Sequence, residues 1–531
     1  MLNKIYRNAR EKSVGPALAA VLPVASKPWY RKPELLYLNF CVASLFLLSS
    51  SNGYDGSMMN GLQSLPPWQK FMDHPVGAWL GFINSSQFLG GLLWLPPVAW
   101  LSNRIGRKWT IYTGYIWLFV GVGLQTGARN EGEFVAGRAI IGLATAHYSG
   151  CVPILMSEIA YPTHRGIITC LFLSGWYVGS FLAAWATYGT RTYNNDWSWR
   201  IPSLLQVAVP IAALPGLLMC PESPRYHVSK NNIDKARSFL VRFHAEGVHQ
   251  SPLAAFELAE ISTTIMLEHE VKETTSYLDM LKTPGNRHRT FICVFLGVFA
   301  HWCGQNIVSY YLAPVLITIG VTSVTAQTMI SGFLQIWNLI WALTGSFCVD
   351  LVGRRALFLG SCAGMLVSYI LVTALSAEFA KRGSAGIGIA VIPFLFLNYG
   401  FYSLAYTPLV VAYPVEIWPY KYRSRGLGIE LITAYCAAFL NVFVNPIALE
   451  NIGWKYYLVF VFILAGGGVV MYFTFPETRG HTLEDMAEIF DGPDAAVAEG
   501  NKAVQDDVDQ ARSKGPVGGT KAASTHHLET V

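Results

Sequence analysis

The chain has 531 residues, of which 52% are hydrophobic and 13% charged, with a net charge of +5 and a mean hydropathy of +0.36. A soluble domain carries roughly 25% charged residues, so most of this surface faces something other than water. That excludes a disordered chain, a small disulfide scaffold and an ordinary cytosolic enzyme. The bases sit in short loops and form no stripe, which argues against a nucleic-acid partner. The nine cysteines are scattered without a CxxC pair and read as small apolar side chains, with no metal, disulfide framework or cofactor implied.

In chain order, a basic N-terminal segment (1–34) comes first, with no cleavable signal peptide. A helix needs about 20 apolar residues to span a bilayer. Twelve runs qualify, near 35–52, 78–101, 109–128, 134–155, 167–188, 200–219, 290–313, 326–349, 355–377, 386–412, 427–449 and 454–475. The first six make an N-terminal half (35–220) and the last six a C-terminal half (290–476). The polar stretch between them (221–289) carries amphipathic pieces, Ile233–Phe243 and Leu253–Leu267, expected as short helices on the cytoplasmic face. The tail (477–531) begins with a polar helix, Leu483–Phe490. After 491 it holds too few large apolar residues to pack, so disorder is expected there.

The loops after the second, fourth, eighth and tenth runs are basic, with Arg104, Arg107, Arg165, Arg354 and Arg423 among them. Under the positive-inside rule those loops are cytoplasmic, and an even helix count puts both termini there too.

The chain also repeats itself. NRIGRK (103–108) recurs as DLVGRR (350–355), SEIAYPTHRG (157–166) as VEIWPYKYRSRG (415–426), and PESPR (221–225) as PETRG (476–480). The offsets agree within about a dozen residues, so the two six-helix halves share one design. Halves of this kind rock against each other around a midplane site.

With GYDG (53–56), GRAIIG (137–142), PILMSEIAYPTHRG (153–166) and GQNIVSYY (304–311), these motifs resemble the sugar porters of the major facilitator superfamily. NGYDGSMMNGL (52–62) and NPIALENIGWKYY (445–457) are similar to the fungal lactose-permease-type members. The resemblance implies an all-α plasma-membrane carrier of the major facilitator fold, acting as a monomeric unit on a sugar and a proton. It also implies gating ion pairs between acids (Glu158, Glu222, Asp350, Glu416, Glu477) and bases (Arg104, Arg107, Arg165, Arg354, Arg423). The alternative for those bases is topological retention alone. Asn103 stands where the family usually has Asp, so a weaker lock is expected in the first half.

Asp55 ends the first run and Arg138 opens the fourth. A mid-bilayer charge costs about 2.5–3.5 kcal/mol on insertion scales, which pairing reduces. In proton-coupled sugar porters the matching Asp carries the proton and the matching Arg tunes it. A structural ion pair, or an Asp55 lying at the end of a short first helix, is the alternative.

A sugar site needs amides and hydroxyls beside aromatic faces. Candidates are His301, Gln305, Asn306, Tyr310, Asn338, Tyr402, Tyr435 and Asn441; of these, Asn306, Tyr310 and Asn338 match family contact positions. The Asn amides can equally be interhelical glue, and His301 a satisfied structural group. The family's fifth-helix Gln is Leu173 here, its paired seventh-helix Gln is Ala300–His301, and its tenth-helix Trp is Val411. Those losses fit a roomier, less polar pocket, for a disaccharide or a less hydroxylated solute. The rival readings are a carrier of another organic solute such as a quinate-like acid, polyol or secondary metabolite, an exporter included, and a non-transporting sugar sensor, against which the short tail counts because sensors tend to carry long signalling tails. No nucleophile–base constellation supports an enzyme, and the two-half repeat disfavours a channel.

Overall fold

The computed structural model describes residues 18, 21–23, 29–274, 276–419, 422–479, 486 and 489–492. The stretch expected to be disordered after 491, and most of segment 1–34, lie outside the described residues. Among the described residues every regular element is helical.

The first half comprises α1 (Pro33–Leu62), a short α2 (Pro66–Phe71), α3 (Gly77–Ile105), α4 (Arg107–Thr126), α5 (Glu131–Ile159), α6 (Arg165–Thr190), and a sixth crossing split into α7 (Trp197–Leu205) and α8 (Ala208–Met219). The connecting stretch holds α9 (Pro224–Ser229), α10 (Ile233–Phe239) and α11 (Pro252–Thr274). The second half begins with a broken seventh crossing, α12 (Pro284–Trp302) and α13 (Gln305–Thr318). It continues with α14 (Val324–Val352), α15 (Arg354–Arg382), α16 (Ala385–Ile417), α17 (Arg423–Ile452) and α18 (Tyr456–Thr474).

Among the described residues, eight stretches are long and apolar enough to cross a membrane, and one of them, Arg425–Thr474, contains two helices. With α3, α4 and α6 this makes twelve crossings. Helix α3 falls short on hydropathy because Asn84, Ser85, Ser86 and Gln87 interrupt it, and all four are buried. Polar side chains are thus gathered inside, among an apolar core, while large apolar side chains cover the outside. Leu93, Phe347, Leu351, Phe462 and Phe473 are exposed, while Asn60, Arg138, Asn338, Asn398 and Asn445 are buried. Exposed Trp100 and Trp109 near one end, and Trp79 and Trp197 near the other, sit where interfacial aromatic belts form.

The connecting helices are not a separate body. Phe239, Leu240, Phe243, Leu258 and Ile261 pack into the same buried cluster as Leu45, Leu118 and Leu155 of the first half. They are a cap on that half.

The duplication is visible atom by atom. Gly106 before α4 and Gly353 before α15 both have φ of 102°. Glu222 accepts from the backbone N–H groups of Arg107 (3.2 Å) and Lys108 (3.1 Å). Glu477 accepts from those of Arg354 (2.8 Å) and Arg355 (3.0 Å). Each carboxylate therefore caps the orphan donors of a helix start and meets its positive dipole end. A β-carbon on either glycine would lie within 3 Å of that carboxylate, and the positive φ also excludes most side chains. In both places the sequence G-R-[KR] supplies the turn and the helix start, and P-E-[ST] supplies the cap.

Removing one cap should be felt. Glu477→Ala is expected to cost about 1–2 kcal/mol, the usual loss for a helix cap, read as a lowered unfolding midpoint of the purified protein. An unchanged midpoint would remove the capping role.

Candidate functional site

Helix α1 continues through its polar stretch to Leu62, so Asp55 lies within the helix and not at its boundary. Asp55 Oδ1 is 3.2 Å from Arg138 Nη1, and both side chains are buried. Arg138 has further acceptors on α3. Its Nε donates to the Ile83 carbonyl (2.9 Å), and its Nη2 faces the Asn84 carbonyl and Gln87 Oε1 (both 3.4 Å). Asp55 Oδ2 has no hydrogen-bond partner. The cation is held by acceptors from two elements, α1 and α3, the anion by one contact.

Beside this pair stands a wall of rings and amides. Phe88 of α3 meets Tyr310 edge-on (5.7 Å) and Tyr435 (6.4 Å). Tyr402 stacks on Tyr406 at 5.4 Å and lies 6.1 Å from Tyr399. The Gln305 amide donates to Tyr399 OH (2.7 Å) and Ser309 Oγ (2.5 Å). The Asn306 amide faces His301 Nδ1 at 3.3 Å, so that nitrogen accepts. Asn441 accepts from Asn445 (3.0 Å), which itself accepts from Tyr456 OH (2.7 Å). Asn338 is fully buried with both amide atoms unpartnered. Gln305 is thus committed to neighbouring side chains and Asn441 through its oxygen alone, its amide nitrogen being unpartnered, whereas Asn338 is committed at neither atom. Phe88, Tyr177, Ser309 and Tyr399 were not anticipated. Tyr177 OH bonds Ser403 (2.9 Å) and Thr407 (3.0 Å) across the halves, and it lies one helical turn beyond Leu173, where a polar donor was sought.

The seventh crossing breaks at Gly304, which is left-handed, and again at Tyr311 (φ −134°, ψ 25°). Pro314 has no N–H, so the Tyr310 carbonyl loses its helical donor. The Gln63 amide supplies it at 2.8 Å. The Ala313 N–H, released at the kink, donates to Asn60 Oδ1 at 3.1 Å, and the Asn60 amide also reaches Ser331 Oγ (3.4 Å). The first helix therefore completes the broken backbone of the seventh. Nearby, Trp185 packs on Gly332 and Phe333, Arg191 Nε donates to Thr325 Oγ1 (3.1 Å), and Gly81 lies against the Phe443 carbonyl. These contacts pin the halves together at the end opposite the basic loops.

At the basic end, two ion pairs among the described residues each lie within one half. Arg107 Nε is 3.3 Å from Glu158. Arg354 grips Glu416 with Nε and Nη2 at 2.9–3.3 Å, and the Thr478 hydroxyl adds a 2.5 Å bond. The first-half pair is the looser one. Glu222 and Glu477, expected to pair with arginine side chains, instead hold backbone N–H groups as caps. Arg104 lies over the Trp100 ring (5.0 Å). Arg423 starts α17, and the side chain of Asp350 lies outside what is described.

Arg165 reaches a carboxylate that the motifs did not single out. Its Nη2 is 2.9 Å from Glu257 Oε1 on α11, and His244 Nδ1 is 2.7 Å from the other oxygen. Burial pushes Glu257 up, but His244 and Arg165 outweigh it and hold the carboxyl below its ordinary value. No sequence period links His244 to Glu257; only the fold brings them together.

This architecture is that of a major facilitator carrier. The xylose transporter of E. coli in its inward-open conformation superposes with a TM-score of 0.70, covering 85% of this chain and 100% of that one at 20% identity. The chain belongs to the sugar transporter family: residues 40–490 match the model described as "Sugar (and other) transporter". It is 23% identical over 473 residues to a high-affinity glucose transporter of Candida albicans, covering 86% of each chain. It is 28% identical over 454 residues to a sugar transporter of Saccharomyces cerevisiae (82% of this chain, 78% of that one) and 27% identical over 445 residues to an MFS-type transporter of Aspergillus cristatus (83% and 90%).

Two outcomes follow from this geometry. Replacing Asn60 and Gln63 together by Leu leaves two buried backbone groups unpaired, at about 1 kcal/mol each. The equilibrium should then leave the pinned arrangement by up to ~30-fold, read as a changed distance distribution between spin labels near residues 191 and 325. An unchanged distribution would remove Asn60 and Gln63 from the gate. Separately, a depressed carboxylate stabilises the fold above its unfolded value, about 4.3, and loses that contribution as pH falls through its folded value. Glu257→Gln should therefore unfold more easily at neutral pH and show a smaller acid loss than the parent. Parallel pH profiles would refute this.

Proposed function

We propose that this protein moves a sugar or similar polyhydroxy solute through the plasma membrane by alternating access, in symport with a proton, with both termini in the cytoplasm. Family membership supports the transport reading, and the basic loops support the orientation by the positive-inside rule. In that orientation the contacts that pin the two halves together lie at the outer end.

The observation that carries proton coupling is the asymmetry of the Asp55–Arg138 pair. When Asp55 takes a proton, Arg138 keeps the Ile83 and Asn84 carbonyls and Gln87 as acceptors. Protonation therefore leaves no orphaned cation in the membrane, and the pair can open at modest cost. Tyr310 links it to the pocket: its hydroxyl lies 3.1 Å from where a β-carbon on Gly56, next to Asp55, would sit. A proton at Asp55 is thus felt by the seventh crossing, whose kink lies at the next residue.

A second reading, a carrier of a less hydroxylated organic solute, rests on one further observation. Gln305 spends its amide on Tyr399 and Ser309, and Leu173 supplies no replacement. The remaining wall is rich in rings, with the Asn338 and Asn441 amides as its unpartnered donors.

Asp55→Asn mimics the protonated state permanently. It should abolish accumulation against a gradient, a loss of at least tenfold, while equilibrium exchange of labelled solute persists. Uphill uptake in that variant would sink proton coupling. Uptake of a labelled panel of sugars, quinate and polyols in a transporter-null yeast separates the two readings.

A further inference from the structure

We propose that Glu430 is a second proton-binding group, on the C-terminal half, separate from the Asp55–Arg138 pair. It lies in α17, seven residues from the helix start at Arg423 and so about 10 Å along the axis. Its side chain is buried, and Oε2 has no hydrogen-bond partner. None of the ion pairs among the described residues includes it. Asp55, by contrast, has Arg138.

The surroundings can be named. On α12, Gly297 packs so closely that its β-carbon position lies 3.0 Å from the Glu430 carbonyl. Cys293 stands one turn earlier on α12 and Arg289 one turn before that, where its Nε donates to the Ile417 carbonyl (2.9 Å) and its Nη1 to Asp491 (2.7 Å). The Cys293 sulfur already accepts from Trp418 Nε1 at 3.2 Å. On α17 itself the neighbour one turn on is Ala434. Among the described residues none of these groups forms an ion pair with Glu430, so an ionised carboxylate is at odds with a sealed α12–α17 seam, and a proton is the ligand that fits.

The seam is a moving part. Helix α12 is the lower arm of the broken seventh crossing, and its relation to α13 changes at Gly304 and Tyr311. A sealed seam favours the proton on Glu430. A seam loosened toward the basic end lets in water and releases it. The step is an acid dissociation: the carboxyl O–H breaks, the electron pair stays on oxygen, and the proton leaves to water.

The inference rests on the carrier reading, so the test includes a readout that does not need transport. Purified protein in liposomes is titrated from acid to alkaline pH while its infrared carboxyl bands are recorded. Wild type should show a titrating band that Glu430→Gln lacks and Glu430→Asp shifts. A carboxyl band assigned to Glu430 that stays constant across the range means a permanently neutral structural group and overturns the proposal. With a transported solute, Glu430→Gln should halve the proton-to-solute ratio while Asp55→Asn abolishes uphill movement. An unchanged ratio in Glu430→Gln also overturns it. Absence of uphill movement in wild type would instead count against the carrier reading, and the infrared titration would still decide Glu430.

Discussion

Hydrocarbon offers no hydrogen-bond partner, and this withholding shapes every feature of the protein. A charge or a freed backbone group in the membrane must find its partner in the protein. Arg138 answers that demand with acceptors from α1 and α3, supplied by one carboxylate, two carbonyls and an amide. Because it is so fully satisfied, its carboxylate partner is the dispensable member. A well-solvated cation beside a singly held anion is the combination that lets a proton come and go without unfolding its surroundings.

The same constraint sorts the structure into stiff and soft parts. The α3–α4 and α14–α15 turns are stiff, because Glu222 and Glu477 fill the helix starts and the Gly106 and Gly353 backbones admit no other side chain. Each half thereby behaves as a unit. The seventh crossing is soft, because Gly304, Tyr311 and Pro314 leave it short of internal bonds. Its completion is lent by Asn60 and Gln63 from the other half. A loan between halves can be withdrawn, whereas a cap within a half cannot. Motion is therefore expected at the seam, with the halves moving as bodies.

How much of this was legible in the sequence varies by physical cause. The twelve crossings, the two halves and the membrane class follow from apolar run length and repeated loop motifs, which are local signals. The proximity of Asp55 and Arg138 was also legible, because two lone opposite charges in lipid need each other. The caps were half legible. The motifs marked Glu222 and Glu477, but charge complementarity suggested arginine side chains as partners, and the backbone donors of a helix start compete better at short range. The Glu257–His244–Arg165 cluster was not legible. It joins residues from three elements through a fold-level contact, with no motif or period to betray it. Tyr399 and Ser309 were missed for the same reason: a Tyr in an apolar run looks like core until its hydroxyl is seen bonded to an amide.

The two halves share a scaffold but divide the labour. The first half holds the compensated ion pair and wears the connecting helices as a cap. The second half holds the broken crossing, the tighter Arg354–Glu416 grip and the uncompensated Glu430. Duplication explains the shared turns and caps, which serve stability and are needed twice. It does not explain the differences, which serve the cycle and are needed once. A carrier of two identical halves would have no internal reason to couple its site to a proton. Here Tyr310, next to the kink at Tyr311, touches both the pocket ring Phe88 and the neighbourhood of Asp55. In the symport proposed above, a protonation event in the first half bears on the soft crossing of the second through that one ring.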